Sequence, residues 1–380
     1  MNKPSQTADS GLLSRNECNA LRGLAILGIF LHNYCHWLSP AVKENEYQFF
    51  RANVDGLQHT LCSPDALFPV QLLSFFGHYG VPVFLFLSAY GLTMKYERAH
   101  RTIDSPQRKD ANAWAFVRYH FLKLFRMMIV GFVAFTMLDA ITPGQHHYQA
   151  VDIVAQLGMF NNLLPSPDRI IWPGPYWFFG LMLQLYIVYR LLLFRRHWGF
   201  TVGLMLLCTA VQLGCGPESE ALNRWRYNFV GGMLPFGAGL LYSRYAMGLL
   251  LWRDRVGHTR FDTLNLLLST LLIVVFSFHY VTWYLVPLCV CSAFIALVRL
   301  IGETRWLTFA GKVLVWMGTI SAALFVCHPI TRKIFIPISR RGDIYAGLLL
   351  YIIASLCLAW LFVLLMRKAP KPTLQTGKDE

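Results

Sequence analysis

The sequence predicts an all-α fold, a polytopic membrane bundle of about ten transmembrane helices with both termini in the cytoplasm. Two observations carry that expectation. Of 380 residues, 55% are hydrophobic and only 14% charged, where a soluble domain carries about 25% charged residues. Apolar windows about 20 residues long, the length a helix needs to cross a bilayer, recur along nearly the whole chain. The net charge of +14 does not point to nucleic acid, because the basic residues form no single stripe or tail. They lie between apolar segments, which is the pattern of membrane topology.

The windows cover roughly residues 19–38, 67–93, 117–139, 176–194, 198–214, 228–247, 263–280, 283–301, 313–337 and 345–366. They make one membrane domain over 19–366, after a cytoplasmic segment 1–18 and before a short basic and polar tail, 367–380. The first window follows a polar start and lacks a small-residue cleavage site, so it reads as an anchored span and not a cleaved signal peptide. Orientation follows from Lys and Arg. Lys95, Arg98, Arg101, Arg108, Lys109, Arg195, Arg196, Arg253, Arg255, Arg260, Arg299, Arg305 and Lys312 fall on the side of the basic tail. Glu44, Glu46, Asp55, Asp65, Glu218 and Glu220 fall on the other. The basic side is then cytoplasmic. Arg332, Lys333, Arg340 and Arg341 break this rule at the outer end of the ninth window. Such a cluster is either tolerated late in insertion or retained to meet an anionic group.

The nine cysteines are scattered without metal-type spacing, and no P-loop, dinucleotide fingerprint or zinc motif is present. No metal and no tightly bound cofactor is expected. Cys62 and Cys215 fall in outer loops, where an oxidising compartment allows a pair; the others read as small apolar residues.

The first window holds the chemistry. It reads Leu21-Arg22-Gly23-Leu24-Ala25-Ile26-Leu27-Gly28-Ile29-Phe30-Leu31-His32-Asn33-Tyr34-Cys35-His36. A permanent cation and two imidazoles on one apolar helix are costly unless they face a protein interior or a watery cavity, so they mark function. Further along stand Gly80-Val81-Pro82-Val83-Phe84-Leu85-Phe86-Leu87-Ser88-Ala89-Tyr90, then Phe116-Val117-Arg118 with Lys123-Leu124-Phe125-Arg126. Pro175-Tyr176-Trp177-Phe178 and Gly318-Thr319-Ile320-Ser321, with His328 beyond, complete the series.

In this order the motifs resemble acyltransferase family 3, integral-membrane bacterial enzymes that acylate sugars of cell-surface glycans. The resemblance runs roughly from Asn16 to Lys333 and rests on the order of the motifs, each of which is weak alone. It implies His32 and Arg22 as catalytic residues and a bacterial inner-membrane location. One departure matters: the family usually places ten residues between the arginine and the histidine, and here there are nine. On an ideal helix an offset of ten stops about 80° short of three full turns. Asn33, not His32, is thus in line with Arg22. Either a local irregularity such as a π-bulge restores the facing, or His32 acts from a different angle.

Acyl transfer from a thioester to a hydroxyl needs a base, and imidazole titrates near neutral pH. Arg118, Lys123 and Arg126 open the third window on the cytoplasmic side with Arg22, where the anionic donor, acyl-CoA and first of all acetyl-CoA, arrives as co-substrate. A rise of about 1.5 Å per residue puts His32 roughly 15 Å above Arg22, within reach of a pantetheine arm. For Arg118 and Lys123, positive-inside anchoring is an equal alternative. Ser88 lacks an adjacent base and reads as a packing residue. Asn33, His36, Tyr176, Trp177, Gln184 and His328 are the candidates for acceptor binding. All but Asn33 have a plainer alternative: interfacial belt for His36, Tyr176 and Trp177, helix–helix bonding for Gln184, helix breaking at His328-Pro329. The segment 148–165 carries apolar residues at helical spacing and is expected to lie on the membrane surface.

The partners expected are acyl-CoA, a glycan or lipid-linked sugar acceptor and membrane lipids, with no nucleic acid. The alternative function is a secondary transporter or flippase-like carrier of an anionic or glycosylated solute. No inverted repeat or matched pair of broken helices favours it.

Overall fold

The computed structural model describes residues 12–39, 41–98 and 112–374. Arg101, Arg108 and Lys109, most of the segment 1–18 and the last residues of the tail lie outside them. Every described element is helical; no strand occurs among the described residues. Ten main helices follow in chain order: α1 (Arg15–Cys35), α2 (Phe68–Arg98), α3 (Ala113–Ile141), α4 (Gly174–Leu193), α5 (Trp198–Leu213), α6 (Phe229–Tyr245), α7 (His258–Ser277), α8 (Val286–Glu303), α9 (Thr308–Arg340) and α10 (Ile344–Lys368). Each apolar window coincides with one of them. Seven are long and apolar enough to cross a membrane: α2, α3, α4, α7, α8, α9 and α10. α1 has the length but opens on the polar Arg15-Asn16-Glu17, and α5 and α6 are shorter, at 16 and 17 residues.

Lipid-facing character shows on α7. Leu264, Leu267, Leu268 and Leu271 lie on one face and are each more than half exposed. An apolar stripe of that kind marks a surface meant for contact with something other than water.

Helix ends gather on two faces. At one, Arg299 of α8 meets Glu17 of α1 at 3.4 Å, Arg244 of α6 meets Glu97 of α2 at 2.7 Å, and Arg126 of α3 donates to the Met366 carbonyl of α10. At the other, Trp283 Nε1 donates to the Asn45 carbonyl at 3.0 Å, and the Tyr345 hydroxyl donates to the Ala66 carbonyl. The first will be called the Arg22 face and the second the His36 face.

α1 runs through the interior and packs most extensively on α9. Glycine makes that approach possible. A Cβ at Gly23 would lie 2.0 Å from the Leu314 carbonyl oxygen, and one at Gly318 would lie 1.9 Å from that of Asn19. Small residues at helix crossings bring backbones close where no water drives association. The cluster breaking the charge rule is not idle: Lys333 pairs with the fully buried Asp139, and Arg332 and Arg340 both lie over the Trp37 ring. The segment 148–165 forms a helix over Ala150–Leu157 that leaves Val151 and Val154 exposed. All nine cysteines are free, so Cys62 and Cys215 do not pair.

Candidate active site

α1 is α-helical without interruption from Arg15 to Cys35, capped by Ser14 and Glu17 in a reciprocal box. No π-turn lies between Arg22 and His32; among the described residues the π-turns are Met94–Arg98 and Tyr189–Leu193. The shorter spacing is therefore not compensated, and His32 points away from the Arg22 line. What it faces instead is α2. That span tightens to a 3₁₀ turn over Gly77–Tyr79, and a Cβ at Gly77 would sit 2.6 Å from His32 Cβ. Glycine there brings the two backbones together just beyond Ser74.

His32 is 2% exposed, and its Nδ1 donates to the Ser74 carbonyl at 2.8 Å. A carbonyl only accepts, so in the neutral imidazole the proton stays on Nδ1 and Nε2 carries the basic lone pair. Nε2 has no hydrogen-bond partner. It looks into a cavity of about 140 Å³ on the His36 face. Glu44 stands there, with Oε1 3.8 Å from His32 Nε2 and 3.1 Å from His36 Nδ1. Burial alone would push the Glu44 carboxyl up, but His36 and His32 hold it well below the usual carboxylate range.

Aromatic rings wall the cavity. Tyr47 and Tyr227 stack with centroids 4.1 Å apart, and Trp177 stands edge-on to both, at 5.6 and 5.8 Å. Phe178 and Phe325 complete that side. Arg332, Asn33 and His78 supply polar lining. A smaller space of about 40 Å³ continues from it past Glu46 and His78 to Arg226, whose Nε donates to the Glu46 carbonyl at 2.8 Å. Burial, with the charge of Glu44 adding to it, pushes the Glu46 carboxyl up to about 8.

A raised carboxyl favours its neutral form in the fold, so native stability falls as pH rises from the ordinary value towards 8 and is level above it. Glu46→Gln, which keeps the neutral shape, is expected to match the native melting temperature near pH 4.5. Its advantage should grow up to pH 8. An unchanged difference across that range in detergent melts would contradict a neutral Glu46.

Of the residues expected at an acceptor site, folding brings Asn33, His36 and Trp177 to the cavity with His32. It does not bring the other three. The Tyr176 hydroxyl donates to the Val326 carbonyl at 3.0 Å, fixing α4 on α9. Gln184 donates to Asn228 Oδ1 at 2.7 Å and accepts from the Phe229 N–H at 3.0 Å, holding the start of α6. His328 is fully buried behind Phe325, its Nδ1 bonded to the Leu324 carbonyl one turn back at 3.0 Å. Trp177 is an inner wall and not part of an interfacial belt.

Arg22 is at the opposite end of α1, where it donates to Asn19 Oδ1 at 3.1 Å. Lys123 lies within electrostatic reach of it, and both Arg118 and Lys123 are exposed. Arg126 is partly committed to the Met366 carbonyl. Ser88 sits against the Tyr186 hydroxyl.

Sequence reasoning missed Glu44, Glu46, Tyr47, His78, Arg226 and Tyr227, which come from the loop after α1, from α2 and from a short helix over Glu220–Tyr227. Their signal is faint: two acids flank Asn45 in a stretch that leads straight into aromatics. For a metal, His32, His36 and Glu44 offer one donor atom each, all within 4.8 Å of one another, and His36 Nδ1 is hydrogen-bonded to Glu44 Oε1.

No curated protein and no solved structure matches the chain. A family model described as an acyltransferase domain matches residues 15–364, nearly the whole length and all ten helices except the end of the last. With that match over nearly its whole length, the chain belongs to acyltransferase family 3.

Proposed function

We propose that the protein moves an acyl group, acetyl first among the candidates, from a thioester donor to a hydroxyl of a glycan or lipid-linked sugar held in the His36-face cavity. The observation that carries this is His32, whose only unbonded nitrogen is the basic one and opens into an aromatic-walled space beside a carboxylate. Aromatic faces suit the C–H faces of sugars, and Trp177, Tyr47 and Tyr227 provide them.

On this reading Nε2 of His32 takes the hydroxyl proton as the oxygen adds to the thioester carbonyl carbon. The Ser74 carbonyl holds Nδ1–H throughout, so the ring cannot present the wrong nitrogen. The imidazolium that forms is stabilised by Glu44. The tetrahedral intermediate collapses with cleavage of the C–S bond, and the proton passes to the leaving thiolate, giving an ester and a free thiol. His36 holds Glu44 in place.

The donor arrives at the Arg22 face, where Arg22, Arg118 and Lys123 present cations to its phosphates. All ten helices cross the bacterial inner membrane, with the Arg22 face cytoplasmic. The alternation of helix ends between two faces supports that topology. Neutralising Arg118 and Lys123 together is expected to raise the KM for acyl-CoA about tenfold and to change the acceptor KM much less. Equal rises in both would contradict a donor site there.

The direct test is thiol release from acetyl-CoA by purified protein with and without envelope glycans. Glycan-dependent release supports the reading. Absence of release, together with solute movement by sealed vesicles that hold no acyl donor, would replace it with a carrier.

A further inference from the structure

Most inward-facing cations of the described residues meet a carboxylate. Arg244 pairs with Glu97, Arg253 with Asp262 and Glu303, Arg299 with Glu17, and Lys333 with Asp139. Arg226 donates through Nε to the Glu46 backbone carbonyl at 2.8 Å. Arg332 forms no ion pair with a carboxylate among the described residues. It is 6% exposed, and there its hydrogen bonds go to Asn33 alone, to the carbonyl at 3.3 Å and to Oδ1 at 3.4 Å. Both are long and both come from one nitrogen of a group with five N–H donors. A guanidinium buried without an opposing charge is unfavourable unless something else meets it.

Its surroundings say where that something sits. Arg332 lines the same cavity as His32 and Glu44, and its guanidinium lies 4.9 Å over the Trp37 ring at the rim. Arg340, exposed one helical stretch further out, lies 5.9 Å from the same ring and donates to the Trp37 carbonyl at 3.3 Å. The two arginines form a path of positive charge from the surface into the cavity. Glu44 on the histidine side would repel an anion, so the anion is confined to the Arg332 side.

We infer that the acceptor carries an oxyanion, a carboxylate or phosphate on the sugar, which Arg332 binds in the cavity while the reacting hydroxyl meets His32. This rests on the acyl-transfer reading for calling the bound molecule an acceptor; the anion site stands on Arg332 itself. Arg340 steers the anion inward and acts before binding.

The test uses the full chain in detergent without acyl donor. Equilibrium dialysis compares a labelled hexuronic-acid oligosaccharide, a phosphorylated one and a neutral one of equal length. The native protein should bind at least one anionic saccharide about tenfold or more tightly than the neutral one, a ratio within the range of charge-assisted bonds. Whichever anion wins names the source. Arg332→Gln should bring the ratio near one, Arg332→Lys should keep part of it, and Arg340→Gln, at an exposed position, should slow association at low salt. Equal native binding of charged and neutral saccharides, binding of none, or equal weakening of both by Arg332→Gln overturns the inference. Labelled acetyl transfer is measured separately: no transfer with Arg332-dependent binding intact would sink the transferase reading and leave the anion site.

Discussion

Replacing His32 with alanine is expected to lower acyl transfer by about 10²–10⁴-fold, the range that a positioned general base contributes. The protein should still fold. Removing the ring costs the hydrogen bond to the Ser74 carbonyl, worth about 1 kcal/mol net, and leaves a small void beside Gly77. Neither is enough to unfold a bundle held by α1–α9 and α9–α10 packing. Binding of acyl-CoA should be unaffected, because the cations proposed to hold the donor lie towards the far end of α1. Added imidazole should restore part of the rate in the alanine variant, since the carboxylate that stabilises the charged ring, Glu44, is still present. A variant with full activity would remove His32 from the chemistry. One that loses donor binding as well would mean that α1 itself had moved.

The second large effect is structural. Gly318→Val should destabilise the protein by about 3 kcal/mol or more, at the upper end of overpacking costs. The reason is what the new Cβ meets: the Asn19 carbonyl oxygen at 1.9 Å, with its carbon at 2.7 Å. Backbone atoms cannot rotate aside as a side chain can, so α1 and α9 must separate. His32 is on α1, and Phe325 and Arg332 are on α9, so activity should fall with stability. Gly203 is the control. It lies within α5, and a Cβ added there would have no neighbouring atom within 4 Å, so Gly203→Ala should be neutral or slightly stabilising. Thermal melts of both variants in one detergent decide the matter. Equal, small changes would contradict the close α1–α9 crossing.

The main helices are legible in the sequence because crossing a bilayer demands long apolar runs, and such runs can be recognised without knowledge of their neighbours. The Arg22–His32 helix is legible for the converse reason, since charge on such a run stands out. The cavity is not. Its walls come from the loop around Tyr47, the short helix ending at Tyr227, the middle of α2 and the C-terminal half of α9, and no periodicity links these segments. Glu44 and Glu46 look like ordinary loop acids until folding sets one against two histidines and turns the other to the smaller cavity.

Tyr176 and Gln184 differ in the opposite sense. A polar group at membrane depth must find a partner, and theirs are the Val326 carbonyl and the start of α6. Arg332 stands out in the sequence by its breach of the charge rule, but only its missing carboxylate says what the breach is for. The nine-residue spacing between Arg22 and His32 announces a change of angle. What lies at that angle, the Ser74 carbonyl and His78, depends on Gly77 letting two helices touch.

The central claim is that His32 activates a hydroxyl for acylation. It is tested most directly by incubating native protein and His32→Ala side by side with radiolabelled acetyl-CoA and an extract of envelope glycans. The label entering an alkali-labile product is then counted. The account predicts label in that product with the native protein and almost none with the variant, at equal donor binding. Equal labelling by the two proteins would contradict it.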